Sequence, residues 1–199
     1  MKRALLAALA IFIAGCFSTG TRESQRYYVL EVPAGKQSAA KSTRTSTLLV
    51  APTTIASFYD TQDIVYSRSP GTRAYYQFNS WTERPSRTIH ALLVERLERS
   101  GAFRNVAEAR SGVEGDLVLS THIQEMYHDA VAAPGSAQVT LSAELARAGR
   151  AAPIARRTFN SSARAASYDA QGAVKAFSEA LGPLLDDLAA WVDDSAPRP

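Results

Sequence analysis

Residues 116–127 read Asp116-Leu117-Val118-Leu119-Ser120-Thr121-His122-Ile123-Gln124-Glu125-Met126-Tyr127. Leu117, Leu119, Ile123 and Tyr127 share one parity, and Ser120, His122 and Gln124 the other. Successive strand side chains point to opposite faces, so the alternation predicts a half-buried β-strand. Gln138 to Ala146 repeats it, with Val139, Leu141, Ala143 and Leu145 inward and Gly149 in the next turn. Ile154 to Ser162, centred on Phe159, reads as a third strand. Three strands with one apolar face need a cover. The chain supplies it next: Val174, Phe177, Leu181, Leu184, Leu188 and Trp191 recur at steps of three and four across Ala170 to Val192. That spacing predicts a long amphipathic helix. Gly182-Pro183 is expected to kink it, because proline lacks the backbone donor.

Upstream of this block, Trp81 to Ser100 reads as a second helix. Ile89, Leu92, Leu93 and Leu97 lie on one stripe, Ser80-Trp81-Thr82-Glu83 has capping-box spacing, and Gly101 is placed to close the helix. Phe103 and Val106 lead into a hydrophilic gap. Four short strands precede the helix: Tyr27 to Val32, Leu48 to Ala51, Gln62 to Ser67, and Arg73 to Phe78 as a hairpin partner across Ser69-Pro70-Gly71. Ala34 to Thr47 reads as a loop and Thr53 to Asp60 as irregular chain. The fold class is α+β: an antiparallel or mixed β-sheet with two long helices packed on one face, a two-layer sandwich.

The N-terminus is of another kind. Lys2 and Arg3 precede the uncharged run Ala4 to Ala14, which ends at Gly15-Cys16. A charged start and a short apolar run form a secretory signal. The run is too short to span a bilayer, which takes about 20 apolar residues. Ile13-Ala14-Gly15-Cys16 resembles a bacterial lipobox, in which the cysteine thiol accepts the lipid. The expected organisation is a signal peptide over 1–15, a lipidated Cys16 with a polar tether over 16–26, one domain over 27–194, and a disordered tail over 195–199. Phe17 follows the cysteine where inner-membrane retention signals of the enterobacterial kind place Asp, so the resemblance implies the periplasmic face of the outer membrane.

Composition narrows the function. The 199 residues are 46% apolar and 21% charged, as in an ordinary globular chain. One cysteine allows no intrachain disulfide and no multi-cysteine metal site. Loss of two positive charges, Lys2 and Arg3, takes the formal charge from +3 to +1. The arginines are scattered, with no basic stripe interleaved with aromatics, so nucleic acid is not an expected partner. His90, His122 and His128 are the only histidines. On a regular strand His122 and His128 share a face while Glu125 points away, and no HExxH motif occurs, so no metal is expected. No phosphate-binding GxxxxGK[ST] loop and no GxSxG elbow is present, and no catalytic residue or cofactor is assigned. The aromatics Tyr66, Tyr75, Tyr76, Phe78 and Trp81 read either as cross-strand packing or as a contact surface. Trp81, Tyr66 and Tyr76 are the candidates for contact with a partner or lipid.

An ordered set of pieces after the lipobox carries a family resemblance. These are Tyr28-Val29-Leu30, Leu49-Val50-Ala51-Pro52 through Phe58-Tyr59-Asp60, and Ile64-Val65-Tyr66-Ser67-Arg68. Trp81 with Glu83 follows, then the Leu97–Val106 phrase with Ser100-Gly101 and Phe103. Together they resemble the ABC-type transport auxiliary lipoproteins, the PqiC-like proteins associated with MCE-domain transport systems. Before Tyr59-Asp60 this chain has Ile55-Ala56-Ser57-Phe58 in place of the family's usual Leu-Pro. The resemblance implies a non-catalytic adaptor in lipid transport across a Gram-negative envelope. Its expected partners are the membrane, an MCE-domain protein, the ABC permease and ATPase, and further copies of itself in a homo-oligomer. The alternative expectation is a periplasmic lipoprotein that itself binds an apolar ligand or assists outer-membrane assembly.

Overall fold

The computed structural model describes residues 24–35, 44–150 and 152–197. The signal peptide expected over 1–15, and Cys16, lie outside the described residues. Among the described residues, nine strands and two α-helices follow in the order β1 (Arg26–Tyr28), β2 (Arg44–Val50), β3 (Thr54–Ile55), β4 (Asp63–Ser67), β5 (Ala74–Trp81), α1 (Pro85–Ser100), β6 (Phe103–Glu108), β7 (Leu117–Asp129), β8 (Ser136–Arg147), β9 (Pro153–Arg164) and α2 (Ala170–Ser195). A short 3₁₀ turn covers Ser57–Tyr59.

The stretch that decides the fold lies at its centre. On one edge β7 pairs antiparallel with β8, and β8 with β9. The other edge is shared, in parallel, by β2 at Leu48–Val50, β3 at Thr54–Ile55 and β4 at Tyr66–Ser67. The sheet is completed by β6 beside β2 and by β5 and β1 beyond β4. It is therefore mixed, as expected, and both helices and the inward sheet face contribute to one core. Ile89, Leu93 and Leu97 of α1 meet Phe177, Leu181, Leu185 and Leu188 of α2 in that core, with Leu119, Ile123, Leu141 and Leu145 from the sheet. Each such aliphatic side chain contributes about 1.5–3 kcal/mol by leaving water.

Five expectations need correction. The first strand covers Arg26–Tyr28 and stops short of Val32; Leu30 leaves the ladder and is buried in the core. The loop expected up to Thr47 gives way to strand from Arg44, because β2 pairs with β6, a strand over Phe103–Glu108 that the sequence reading did not assign. Trp81 ends β5 and does not open α1. It pairs with Tyr28, and its N–H donates to the Gln62 carbonyl at 2.6 Å. No capping box forms: Arg84 is the N-cap, Glu83 accepts from the Arg84 N–H, and Pro85 occupies the first turn, where no backbone donor is required. Residues 195–197 of the expected tail are held as well. Ala196 is buried, and buried Arg44 donates to the Pro197 carbonyl at 3.3 Å while pairing with Asp193.

One helix signal appears where expected. Gly101 closes α1 at φ +65°, a left-handed conformation glycine adopts without strain. Asp169 caps α2, accepting from the Gly172 N–H at 2.8 Å. α2 runs through Pro183 as one element.

Candidate functional site: an aromatic cluster at one end of the sheet

The regular alternation of β7 ends at Gln124. Ile123 pairs with Leu141, and Glu125 pairs with Thr140, so Gln124 is an extra residue with no partner: a β-bulge. Before it, Leu117, Leu119, Thr121 and Ile123 are buried. After it the parity shifts, and Met126 and His128 are buried while Tyr127 is only half-buried. The expected inward position of Tyr127 and the shared face of His122 and His128 are thereby overturned. One extra residue reverses the facing of everything beyond it. The sequence does carry the signal: the apolar step from Ile123 to Met126 is three residues where a regular strand gives two.

His128 is fully buried. Its Nε2 is 3.0 Å from the Pro134 carbonyl, and its Nδ1 is 2.8 Å from the Tyr76 hydroxyl. A carbonyl only accepts, so Nε2 carries the proton and Nδ1 accepts from Tyr76. This is a neutral imidazole with both nitrogens satisfied. Burial lowers its pKa from the ordinary value, and burial pushes the Tyr76 phenol up to about 12. The turn beyond is fitted closely to the ring. Gly135 has φ +83°, and a Cβ there would stand 2.4 Å from His128 Nε2.

The neighbours complete an aromatic cluster. Tyr66 of β4 and Tyr76 of β5 have ring centroids 4.6 Å apart. Tyr168, in the β9–α2 connection, packs edge-on to His128 and donates to the Ala130 carbonyl at 2.6 Å. The Arg68 guanidinium lies 5.0 Å from the Tyr66 ring and 5.6 Å from the Tyr168 ring, within reach of cation–π attraction. Asp169 stands at the edge of the cluster. The Gly172 N–H and the Ser167 hydroxyl hold its carboxyl below the usual carboxylate range.

Of the three aromatic candidates, the structure brings Tyr66 and Tyr76 together and sets Trp81 apart. Trp81 is 3% exposed and packs edge-on against Phe177 at 5.7 Å. Its ring fills the core and offers no surface to a partner. Tyr76 is half-buried with its hydroxyl engaged by His128, while Tyr66 is half-buried beneath Arg68. His128 and Tyr168 were not among the candidates. Tyr168 sits between elements in an Ala-Ser-Tyr-Asp stretch that has no periodicity to mark it.

The opposite sheet face is polar. A shallow cavity of ≈ 470 Å³ there is lined by Thr54, Ser120, His122, Ser142, Glu144 and Arg156, among others. Most of these side chains carry a polar or charged group. No three His, Cys, Asp or Glu among the described residues are grouped to hold a metal, and no helix among them is long and apolar enough to cross a membrane.

Residues 28–189 match the family of the ABC-type transport auxiliary lipoprotein component. The chain belongs to that family. As an auxiliary lipoprotein of ABC-type transport it is a membrane-associated component of an envelope transport system. Solved structures share its fold. Protein XCC0632 from Xanthomonas campestris, described under DUF330, is 22% identical with a TM-score of 0.76, covering 85% of this chain and 96% of that one. An uncharacterized protein is 14% identical with a TM-score of 0.67, covering 85% of this chain and 99% of that one. The hypothetical protein CT253 from Chlamydia trachomatis is 10% identical with a TM-score of 0.53, covering 76% of this chain and 98% of that one. No curated protein matches the auxiliary lipoprotein.

Proposed function

We propose that this auxiliary lipoprotein is anchored by acylated Cys16 to the periplasmic face of the outer membrane. There it serves as a non-catalytic adaptor of an MCE-type ABC lipid transport system. One observation carries the reading: the family match begins at residue 28, twelve residues after the Ala14-Gly15-Cys16 lipobox. Several acyl chains at about 0.8 kcal/mol per buried CH₂ make a lasting anchor. The partners are an MCE-domain protein with its permease and ATPase, and a homo-oligomer of this chain suits docking onto a ring-shaped assembly. The neutral, fully satisfied His128 cluster supports an architectural role, since it holds no free base. Tyr66 is the remaining aromatic candidate for contact with a partner or lipid.

Radiolabelled palmitate tests the anchor. The wild-type chain is expected to incorporate label, and Cys16→Ser to incorporate none and leave the membrane fraction. A Cys16→Ser chain that still takes up label overturns the assignment.

A further inference from the structure

Three connections meet at the His128 end of the sheet: the β4–β5 turn, the β7–β8 turn and the β9–α2 connection. The Ala130 N–H donates to the Ser67 carbonyl at 2.7 Å, and the Ala165 N–H to the Gly135 carbonyl at 3.0 Å. With the Tyr168 bond to Ala130, these contacts make one built end rather than three separate loops. Its outermost part is Val131-Ala132-Ala133, three consecutive exposed apolar residues. Val131 is 49% exposed and Tyr168 beside it 43%. A run of three or more exposed apolar residues is a fault in a soluble surface unless it meets something. Arg68 and Arg164 are exposed around it, with Asp129 and Asp169 as the nearby acids, so the surroundings are close to neutral. The loop at the other end of β7, Arg110-Ser111-Gly112-Val113-Glu114, breaks its one apolar residue with charges and glycine.

The direction of β1 says what lies beyond this end. β1 runs parallel to β5, with Arg26 opposite Asn79. Traced backwards from Arg26, the chain therefore heads towards Ala74. Ala74 pairs with Tyr66, and Tyr66 with His128, so that heading is the apolar end. Ala74 is five residues from Asn79, about 17 Å of strand. Cys16 lies ten residues before Arg26, a reach of at most about 35 Å. The described chain thus begins on the side of the apolar tip, and ten residues at full extension are long enough to pass it.

We propose that the β7–β8 tip, Val131-Ala132-Ala133 with the Tyr168 ring beside it, rests on the phospholipid surface that carries the anchor. The sheet then stands end-on to the membrane, and the 109–116 loop points away from it. Apolar residues enter the headgroup region while Tyr168 and Arg68 sit at its polar boundary, where amphipathic rings and long cationic side chains are favoured. This inference rests on Cys16 being lipidated. It adds an orientation that an anchor on a free tether would not impose.

The full-length lipidated protein provides its own test. Acylation consumes the only native thiol, so an introduced cysteine is the only one to label. Ala132→Cys and Ala133→Cys report from the tip, and Val113→Cys reports from the far end. Each is labelled with an environment-sensitive fluorophore and reconstituted in vesicles of phosphatidylethanolamine with a minority of phosphatidylglycerol and a headgroup-region nitroxide lipid. Both tip labels are expected to be quenched about twofold or more relative to vesicles without nitroxide, as for groups about 5–10 Å into the interface, and the Val113→Cys label to be unaffected. Protein that floats with the vesicles while its tip labels stay unquenched overturns the orientation and leaves the anchor standing. Equal quenching at both ends also overturns it. Protein that fails to float overturns the anchor, and this proposal with it.

Discussion

Before Gln124, β7 turns Leu117, Leu119 and Ile123 into a core made of aliphatic neighbours from β8, α1 and α2. Beyond Gln124, the same strand turns in Met126 and His128, and His128 is surrounded by Tyr66, Tyr76, Tyr168 and the Pro134 carbonyl. The first half is held by non-directional burial, which tolerates exchange of one aliphatic for another of similar volume. The second half is held by hydrogen bonds of defined donor and acceptor, so its shape depends on particular atoms. One strand thus supplies both the mass of the core and a built end with a fixed arrangement. The bulge lets it do so, by bringing His128 to the helix-covered face.

The contrast can be broken at its strong side first. Leu119 is fully buried, and Leu119→Ala is expected to lose about 3 kcal/mol in a urea titration. A loss under about 1 kcal/mol would mean that the aliphatic half does not carry the fold. His128→Ala comes next. It leaves the Tyr76 hydroxyl and the Pro134 carbonyl without their partner, at a cost of about 2 kcal/mol. Tyr76→Phe removes only the donor to Nδ1, for about 1 kcal/mol, and in a double-mutant cycle the two changes are expected to be non-additive. Additive losses would deny the bond between them.

Acid sharpens the same comparison. Burial holds the folded pKa of His128 below its unfolded value of about 6.5, so the unfolded chain takes the proton first. Its contribution is complete above about pH 6.5 and is lost as pH falls from there through the folded pKa. His128→Gln should flatten that part of the stability profile, while Leu119→Ala should keep its slope. An unchanged slope in His128→Gln would exclude His128 as its source. The smallest effect belongs to the open face. Phe58 and Tyr75 stack at 4.9 Å but are each exposed. Tyr75→Ala is expected to cost about 0.5–1 kcal/mol by thermal melting.

The long elements are legible in the sequence because they bury one face over many residues. β7, β8, β9 and α2 each repeat their period often enough to be read. β3 and β6 are not legible: β3 has two residues, and the pairing of β6 with β2 joins segments about 60 positions apart in the chain, a relation no local window contains. Trp81 misleads for a different reason. Ser80-Trp81-Thr82-Glu83 has the spacing of a cap, but the backbone of Trp81 is already engaged by Gln62 and β1, and Pro85 supplies a helix start that needs no cap donor. At the aromatic end Tyr66 and Tyr76 are legible as aromatics on partner strands of one hairpin, where they meet as diagonal neighbours. His128 is hidden by the bulge, because its parity is that of the polar face until Gln124 is counted out.

The central claim is that this auxiliary lipoprotein acts in contact with an MCE-type transporter, and crosslinking in intact cells tests it most directly. The full-length chain is crosslinked in cells that express the transport system, purified from solubilised envelopes, and its bound proteins are identified by mass spectrometry. The account predicts recovery of an MCE-domain protein, with the permease and ATPase in lower yield, and loss of that recovery in Cys16→Ser. Recovery of the lipoprotein at normal level without the MCE-domain protein would contradict it.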